Sequence, residues 1–476
     1  MTKETGLLSK NGSVHFVGIG GAGMSSLAQV LLARGFNVTG SDIKESANTK
    51  RLKNMGARVA NGHHPDNVNG ASLVVVSSAI PSKNSEVIGA EGRQIPVLQR
   101  AELLAYLMEE KRGIAVAGTH GKTTTTSMMS LMLDRNGLDP TFLIGGELND
   151  IGSGAQHGEG DFLIAEADES DGSILHLRPE IAILTNIEAD HLDYYKSLKR
   201  IRDVFIEFLN RLPKNGFALI CSDDPVSRKV LSNLRSRYYT YGLDRRNDFR
   251  AKNVGLNNGK VRFDVFREEE NLGSISLKIP GLHNVYNALA TVSLGNLLGL
   301  PFKKCADALR DFGGVRRRFQ RIGEACQVTL VDDYAHHPSE IRATLKAART
   351  GDWQRVVCVF QPHRYTRTNF LHAEFGKAFK EADLVVITDV YAADEEPIPG
   401  VDGKLIVDSI LKEEPYKQVV YLPKKGDISG FLLSALEGGD ILLTLGAGDV
   451  WVVGSEVLTK LRNNATGKIP QERTLI

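Results

Sequence analysis

The chain has 476 residues, with 58 basic and 57 acidic side chains and a formal net charge of +1. So even a balance excludes a bulk basic surface for nucleic acid or an anionic membrane, and a chain of this length divides into about two to four domains. Cys221, Cys305, Cys326 and Cys358 lie far apart and form no CxxC, so lone buried thiols in a reducing compartment are expected rather than a zinc site or disulfides.

Met1 to Ser13 is polar and lacks the apolar core of a signal peptide. No apolar run approaches the ~20 residues that cross a bilayer, so a cytoplasmic protein is expected. His15-Phe16-Val17 reads as a short buried strand, followed by Gly18-Ile19-Gly20-Gly21-Ala22-Gly23, which fits GxGxxG. A helix follows, roughly Met24 to Arg34, closed by Gly35. A second strand, Asn37 to Gly40, ends at Ser41-Asp42. Asp42 lies 19 residues past Gly23, close to the offset of the acid that binds ribose in dinucleotide folds. Leu73 to Ser78 is a further strand, turned by Ala79-Ile80-Pro81. Gly18, Gly20, Gly21, Ala22, Gly23, Asp42 and Ser78 are therefore candidates for a nucleotide site. Such a loop encodes a pyrophosphate on a helix N-terminus, and NAD(P) and a UDP-sugar both carry one. His63 and His64 read as surface residues, with a minor reading in which one touches that pyrophosphate.

The apolar run Ile114 to Ala117 leads into Gly118-Thr119-His120-Gly121-Lys122-Thr123-Thr124 and a helix-like stretch to Leu133. Strand, glycine loop, Lys-Thr and helix make a phosphate cradle, shorter than GxxxxGK[ST]. Glycines admit backbone N–H groups to phosphate oxygens, Lys122 reaches the β- and γ-phosphates, and the Thr123 hydroxyl sits on Mg²⁺. The bland alternative is an ordinary glycine turn. Met128, Met129 and Met132 read as core filling. Gly145-Gly146 and Asn149 read as a turn. Asp161 to Asp171 is an apolar strand running into acids, with Glu166 and Asp168 on one side of an extended chain. Glu169 and Asp171 read as a solvated acidic loop. Ile181 to Thr185 is another strand, ending in Asn186-Ile187-Glu188-Ala189-Asp190-His191-Leu192-Asp193. His191 beside acids is more often structural than a ligand of Mg²⁺, which prefers oxygen. In Gly281-Leu282-His283-Asn284-Val285-Tyr286-Asn287, Asn284 and Asn287 fit either adenine contacts or helix capping.

In the last third, Thr329 to Val331 leads into Asp332-Asp333-Tyr334-Ala335-His336-His337-Pro338, and Val356 to Phe360 leads into Gln361-Pro362-His363-Arg364-Tyr365-Thr366-Arg367. Leu384 to Thr388 and Ile441 to Leu445 end in Asp389-Val390-Tyr391 and Gly446-Ala447-Gly448-Asp449. Apolar strands alternating with helical stretches imply a parallel sheet, with ligands at the carboxyl ends of its strands. Arg364 and Arg367 suit a carboxylate. The run Arg316-Arg317-Arg318 with Arg321 is either a solvated basic face or supplies an Arg that swings onto a γ-phosphate.

Together these motifs resemble the Mur ligases of bacterial peptidoglycan synthesis. The resemblance rests on the short phosphate loop, Glu166 in Ala165-Glu166-Ala167-Asp168-Glu169-Ser170, His191 in Asp190-His191-Leu192-Asp193, and Gly281 to Asn287. Gly18 to Ser25 and Asp332 to Pro338 are similar to the branch that adds L-alanine. The alternative is the branch that reattaches a recycled tripeptide to the same UDP-sugar. The resemblance implies an α/β chain of three domains: a Rossmann-like domain binding UDP-N-acetylmuramate (1–106), a central P-loop-type ATPase domain (107–313), and a Rossmann-like C-terminal domain for the amino acid and part of the nucleotide (314–476). It implies ATP and Mg²⁺, and an acyl phosphate on the lactyl carboxylate that the amine of L-alanine attacks. Lys122, Glu166, His191, Arg318 and His336 are the implied catalytic set, and Thr123, Glu166 and His191 the metal shell. Gly118 to Thr124, His283, Asn284 and Asn287 hold nucleotide. Asp333, Tyr334, His336, Arg364 and Arg367 form the amino-acid end. No lysine occurs between Lys199 and Lys214, so the carbamylated lysine of some sister ligases is not expected. A monomer or homodimer without nucleic-acid or membrane partners fits the rest. An NAD(P) oxidoreductase leaves Lys122 and Glu166 without a role, and a silent UDP-sugar sensor leaves the intact Lys122-Thr123 without one.

Overall fold

The computed structural model describes Leu8, residues 12–257 and residues 259–465. Nearly all of the polar N-terminal stretch lies outside those residues. Three sheets organise the chain. The first contains β1 (Ser13–Val17), β2 (Asn37–Asp42), β3 (Arg58–Asn61), β4 (Ala71–Val76) and β5 (Val97–Gln99), all parallel, in the order β3-β2-β1-β4-β5. Alternation explains how it is covered. On β1 and β4, Val14, Phe16, Leu73 and Val75 face one core with Leu27 and Leu31 of the helix Ala22–Ala33. Val17, Val74 and Val76 face another, with Val87 and Ala90 of the helix Ser85–Gly92. Strand side chains alternate between faces, so a sheet buried on both reads as a continuous apolar run. The order reverses between β1 and β4, the switch point where such sheets bind ligands.

The second sheet contains β6 (Arg112–Ala117), β7 (Thr141–Leu148), β8 (Ser153–Gln156), β9 (Phe162–Glu166), β10 (Ile181–Leu184), β11 (Phe217–Cys221), β12 (Tyr238–Gly242), β13 (Phe249–Asn257), β14 (Lys260–Arg267) and β15 (Glu270–Leu277), in the order β15-β14-β13-β12-β11-β10-β6-β9-β7-β8. β6 lies between β10 and β9, parallel to both. The third contains β16 (Gln320–Ala325), β17 (Val328–Asp333), β18 (Arg355–Phe360), β19 (Leu384–Ile387), β20 (Gln418–Tyr421) and β21 (Asp440–Leu445), in the order β16-β17-β21-β18-β19-β20. It is parallel except for β16, which pairs antiparallel with β17. Cys358 and Phe360 face one core, and Val357 and Val359 the other. Chain contacts divide into two compact units: Met1–Lys252, Val265–Gly273 and Tyr286–Phe312 in one, and Asn253–Asp264, Ser274–Val285 and Gly313–Ile476 in the other.

Several local expectations change. Gly145 and Gly146 lie inside β7, not in a turn, and the turn begins at Asn149. The strand read as Leu73 to Ser78 stops at Val76, so Ser78 belongs to the loop beyond it. Asp332 and Asp333 are still within β17. Cys326 is exposed, whereas the other three thiols are buried. Met128, Met129 and Met132 are core residues, as their spacing implies.

Candidate active site

The phosphate loop connects β6 to the helix Lys122–Arg135. Two of its glycines are required by geometry. Gly118 has φ of +129° and a Cβ there would stand 2.1 Å from Thr185 Oγ1. Gly121 has φ of +83° and a Cβ would meet Asn287 Oδ1 at 2.8 Å. The loop is tied to the chain beyond β10: Thr119 N–H donates to Asn186 O at 3.0 Å and His120 N–H to Asn186 Oδ1 at 2.9 Å. Thr185 Oγ1 in turn donates to His120 O at 2.6 Å. The hydroxyls of Thr126, Ser127 and Ser130 bond back to carbonyls four residues earlier, at 2.8–2.9 Å. A helix buried all round thereby accommodates polar side chains. Its first-turn N–H groups have no carbonyl partner within the helix, the property an anion cradle uses.

Lys122 Nζ donates to both Glu169 carboxylate oxygens at 2.8 Å, to Gly118 O at 2.5 Å and to Thr119 O at 3.2 Å. Burial lowers its affinity for the proton, but the Glu169 and Asp168 charges outweigh that and keep it an ammonium. Glu169, read from sequence as solvated, is 3% exposed. Burial pushes its carboxyl up to about 7, against the pull of Lys122. The error has a physical cause. Tyr195 donates its hydroxyl to the Glu169 carbonyl, and Lys122 supplies the charge partner, neither of which is local in sequence.

Glu166 ends β9 and accepts from Thr123 Oγ1 at 3.1 Å and from Gly145 N–H at 2.6 Å. This hydroxyl and carboxylate are hard oxygen donors of the type Mg²⁺ takes, so the pair fits that ion. His191 has φ of +52° and caps the short helix Leu192–Tyr195, with its ring Nε2 3.7 Å from Asp190 Oδ2. Asn287 accepts from Thr125 Oγ1 at 3.1 Å, and so supports the loop. Tyr286 donates to Asp223 Oδ2 at 3.0 Å.

The glycine loop after β1 is closed on itself. Gly18 and Ile19 donate to Ser41 O at 2.9 and 3.0 Å, Gly21 donates to Gly18 O at 3.2 Å, and Gly20 donates to Asp42 Oδ2 at 2.8 Å. Asp42 therefore braces the loop in this state, where sequence reading gave it to a ribose. His63, read as a surface residue, instead joins a buried network: its Nδ1 lies 3.2 Å from Glu86 Oε2 and 2.9 Å from Ser41 Oγ. His15 Nε2 lies 3.6 Å from the same oxygen. His64 is largely exposed.

One cavity of about 430 Å³ joins these parts. It is lined by Ala22, Gly23, Ser78, Arg100, Lys122 and Glu166, with Asp168 beside them. Arg100 was not singled out in the sequence. It begins the helix Arg100–Glu109 and its Nη2 stands 3.4 Å from Asp168 Oδ2. A cation on the first turn opposes the helix dipole, and that anomaly was the available signal.

In the second unit, Asp333 accepts from Phe319 N–H at 2.8 Å and Ala335 N–H at 2.7 Å, and burial pushes its carboxyl up to about 6. The Arg317 and Arg318 guanidinium groups lie over the Tyr334 ring at 5.0 and 5.1 Å. Arg317 also binds Asp332 at 3.1 Å and Gly446 O at 2.6 Å, so this part of the arginine run is neither a solvated face nor a free arm. Arg318 stays half-exposed, 3.9 Å from Glu340. His336 packs edge-on to Tyr334 and His363, at 5.4 and 5.8 Å between centroids, and His363 stacks on Tyr391 at 5.6 Å. Arg367 is buried with Nη1 3.2 Å from His363 Nδ1. Arg364, with φ of +69°, caps the helix Tyr365–Gly376. His283 is held neutral, its pKa lowered to about 4 by burial and by Arg318, and Asn284 donates to Pro280 O at 2.6 Å. His363 and Tyr391 were read only as members of strand-end clusters, without roles of their own, and Glu340 was not singled out at all.

Comparison with known proteins bears on the whole chain. Residues 13–112 match the model of the Mur ligase family, catalytic domain; residues 116–295 that of the Mur ligase middle domain; residues 317–448 that of the Mur ligase, glutamate ligase domain. A UDP-N-acetylmuramate--L-alanine ligase of Pelotomaculum thermopropionicum is 50% identical over 458 residues, covering 96% of this chain and 99% of that relative. One from Desulforamulus reducens is 49% identical, with the same coverage. Among solved structures, the UDP-N-acetylmuramate-alanine ligase of Thermotoga maritima superposes with a TM-score of 0.81 at 29% identity, covering 95% of this chain and 100% of that one. A murein peptide ligase of Psychrobacter arcticus gives 0.71 at 25% identity, covering 95% and 99%.

Proposed function

The chain belongs to the Mur ligase family, and from that premise we propose that it joins L-alanine to the lactyl carboxylate of UDP-N-acetylmuramate, converting ATP to ADP and phosphate, in peptidoglycan precursor synthesis. The observation that carries the chemistry is the shared cavity, which places the helix start at Ala22 and Gly23, Arg100, Lys122 and Glu166 around one space. An oxidoreductase has no use for Lys122 and Glu166 there.

The carboxylate of the sugar attacks the γ-phosphorus, ADP leaves, and the acyl phosphate forms. The amine of L-alanine then attacks the acyl carbon and phosphate departs. Phosphoryl transfer of this type depends on positioning and charge neutralisation. Lys122 and the first-turn N–H groups of its helix neutralise the β- and γ-phosphates. Arg100 orients the anionic end of the sugar nucleotide. Thr123 and Glu166, with His191, hold Mg²⁺, which when bound neutralises phosphate oxygens. His283, Asn284 and Asn287 take the adenine. Asp333, Tyr334, His336, Arg364 and Arg367, with Arg318 near Tyr334, take the amino acid and the end of the nucleotide. The domain limits 1–106, 107–313 and 314–476 belong to the same proposal, as does a cytoplasmic location. No helix among the described residues is long and apolar enough to cross a membrane.

Phosphate release from ATP, Mg²⁺ and UDP-N-acetylmuramate tests the reading, with L-alanine, glycine, L-serine or a tripeptide added in turn. Release is strongest with L-alanine, and the product gains one alanyl residue in mass. Release with the tripeptide alone reassigns the chain to the recycling branch.

A further inference from the structure

Lys122 has three N–H donors. Two are directed at Gly118 O and Thr119 O, carbonyls of its own loop, and the third at the Glu169 carboxylate. The carbonyls orient the ammonium within the loop. Glu169 is different: its carboxyl group sits at 2.8 Å through both oxygens, and it occupies the donor a phosphate oxygen must use. Its backbone is fixed as well, by the Tyr195 hydroxyl on its carbonyl. The neighbouring Asp168 stands 3.4 Å from Arg100 through one oxygen, a looser tie. The acidic pair beyond β9 thus faces the cavity's two lining cations, Lys122 and Arg100.

We propose that Glu169 is a positioning residue that stands in for phosphate in the nucleotide-free enzyme, holding Lys122 in place and competing with the triphosphate for it. The proposal rests on the reading of Lys122 as a nucleotide-binding residue. A buried carboxylate left without a counter-ion is disfavoured, so Glu169 recaptures Lys122 as the nucleotide leaves and opposes retention of ADP. Glu169 is not a metal ligand in this scheme; its carboxylate reaches the nucleotide only through Lys122.

The test is titration calorimetry of the full chain with ADP and Mg²⁺. If the tie leaves Lys122 available about a tenth of the time, removing it lowers the apparent Kd about tenfold. Glu169→Gln therefore binds ADP about tenfold more tightly than the parent protein. In a Lys122→Met background the same substitution changes nothing, which a merely structural role of Glu169 does not predict. Unchanged or weaker binding by a folded Glu169→Gln variant overturns the proposal. If that variant fails to fold, Glu169→Asp, which keeps the charge but shortens its reach, is expected to bind more tightly by a smaller factor, and an unchanged Kd there is equally fatal. Lys122→Met alone distinguishes the two levels: weaker ADP binding upholds the reading of Lys122 whatever Glu169 does, and unchanged binding removes that reading and the proposal together.

Discussion

Individual side chains differ sharply in how far the sequence exposes their role. Lys122 and Glu166 were singled out from loop spacing and a strand end, and both line the cavity. Glu169 was not, because its partners come from the phosphate loop and from Tyr195. Lys122→Ala is expected to abolish ligation while leaving UDP-N-acetylmuramate binding near the parent value, read by phosphate release and calorimetry. Loss of sugar binding in a folded variant breaks the division of labour in the cavity. Glu86 gives a prediction about pH. It is buried, and burial pushes its carboxyl up, but the nearby His15 ring and hydrogen bonds from Ser41 and Asn67 outweigh that and pull it down to about 2. The unfolded chain takes up this proton near the ordinary value of 4.5 and the folded chain only near 2. Stability on the order of 3 kcal/mol is therefore present above pH 4.5 and lost as pH falls through 2. Glu86→Gln should flatten the loss in urea unfolding between pH 5 and 3; an unchanged slope assigns it to other carboxylates.

Parallel strands were the most legible elements, since apolar runs flanked by polar ends recur at β1, β6, β9, β10, β18 and β21. Many others went unread, among them β3, β5, β8 and the run from β11 to β15; β16 and β20 are half-exposed edge strands whose composition resembles loop. Gly145 and Gly146 misled in the opposite direction: they lie in β7 because the Glu166 carboxylate comes within 3.1–3.3 Å of where a Gly145 Cβ would stand. The glycine marks a close approach, not a turn. The same reasoning makes Gly118→Ala a sharp probe of the phosphate loop. Its φ of +129° is strained for any side chain, and the Thr185 hydroxyl fills the space. Strain of about 1–3 kcal/mol corresponds to about tenfold or more in affinity, so ADP binding should weaken by that factor while sugar binding persists. On the helix Ala22–Ala33, whose first turn lines the cavity, Gln29 donates to Ser153 Oγ at 2.8 Å and Ala155 O at 2.5 Å of β8. Gln29→Ala removes that link, and the expected result is a raised KM for UDP-N-acetylmuramate with the KM for ATP little changed. Equal effects on both would show that the link serves the whole unit rather than its sugar side.

At the scale of the molecule, an even charge and an ordinary composition bound the class of protein but not its division into units. That division follows from cores that long-range contacts create. Core residues of β1 and β4 and the helices against them belong to one unit, and the two faces of the β17–β21 sheet to the other. Multidomain chains depart from two-state unfolding, so the two units are expected to unfold as separate cooperative systems. The cavity residues proposed for the sugar nucleotide all lie in the first unit. A ligand that binds only the folded state stabilises by about 2.7 kcal/mol at a hundred times its Kd. Calorimetric melting should therefore show two transitions, and UDP-N-acetylmuramate should raise one and leave the other in place. The unmoved transition should be the one lowered by Phe360→Ala, which opens a cavity in the second unit's core and costs about 3–5 kcal/mol. A single transition that shifts as a whole with the sugar nucleotide would mean that the two cores act as one cooperative system, and that ligand binding in the first unit stabilises the entire chain.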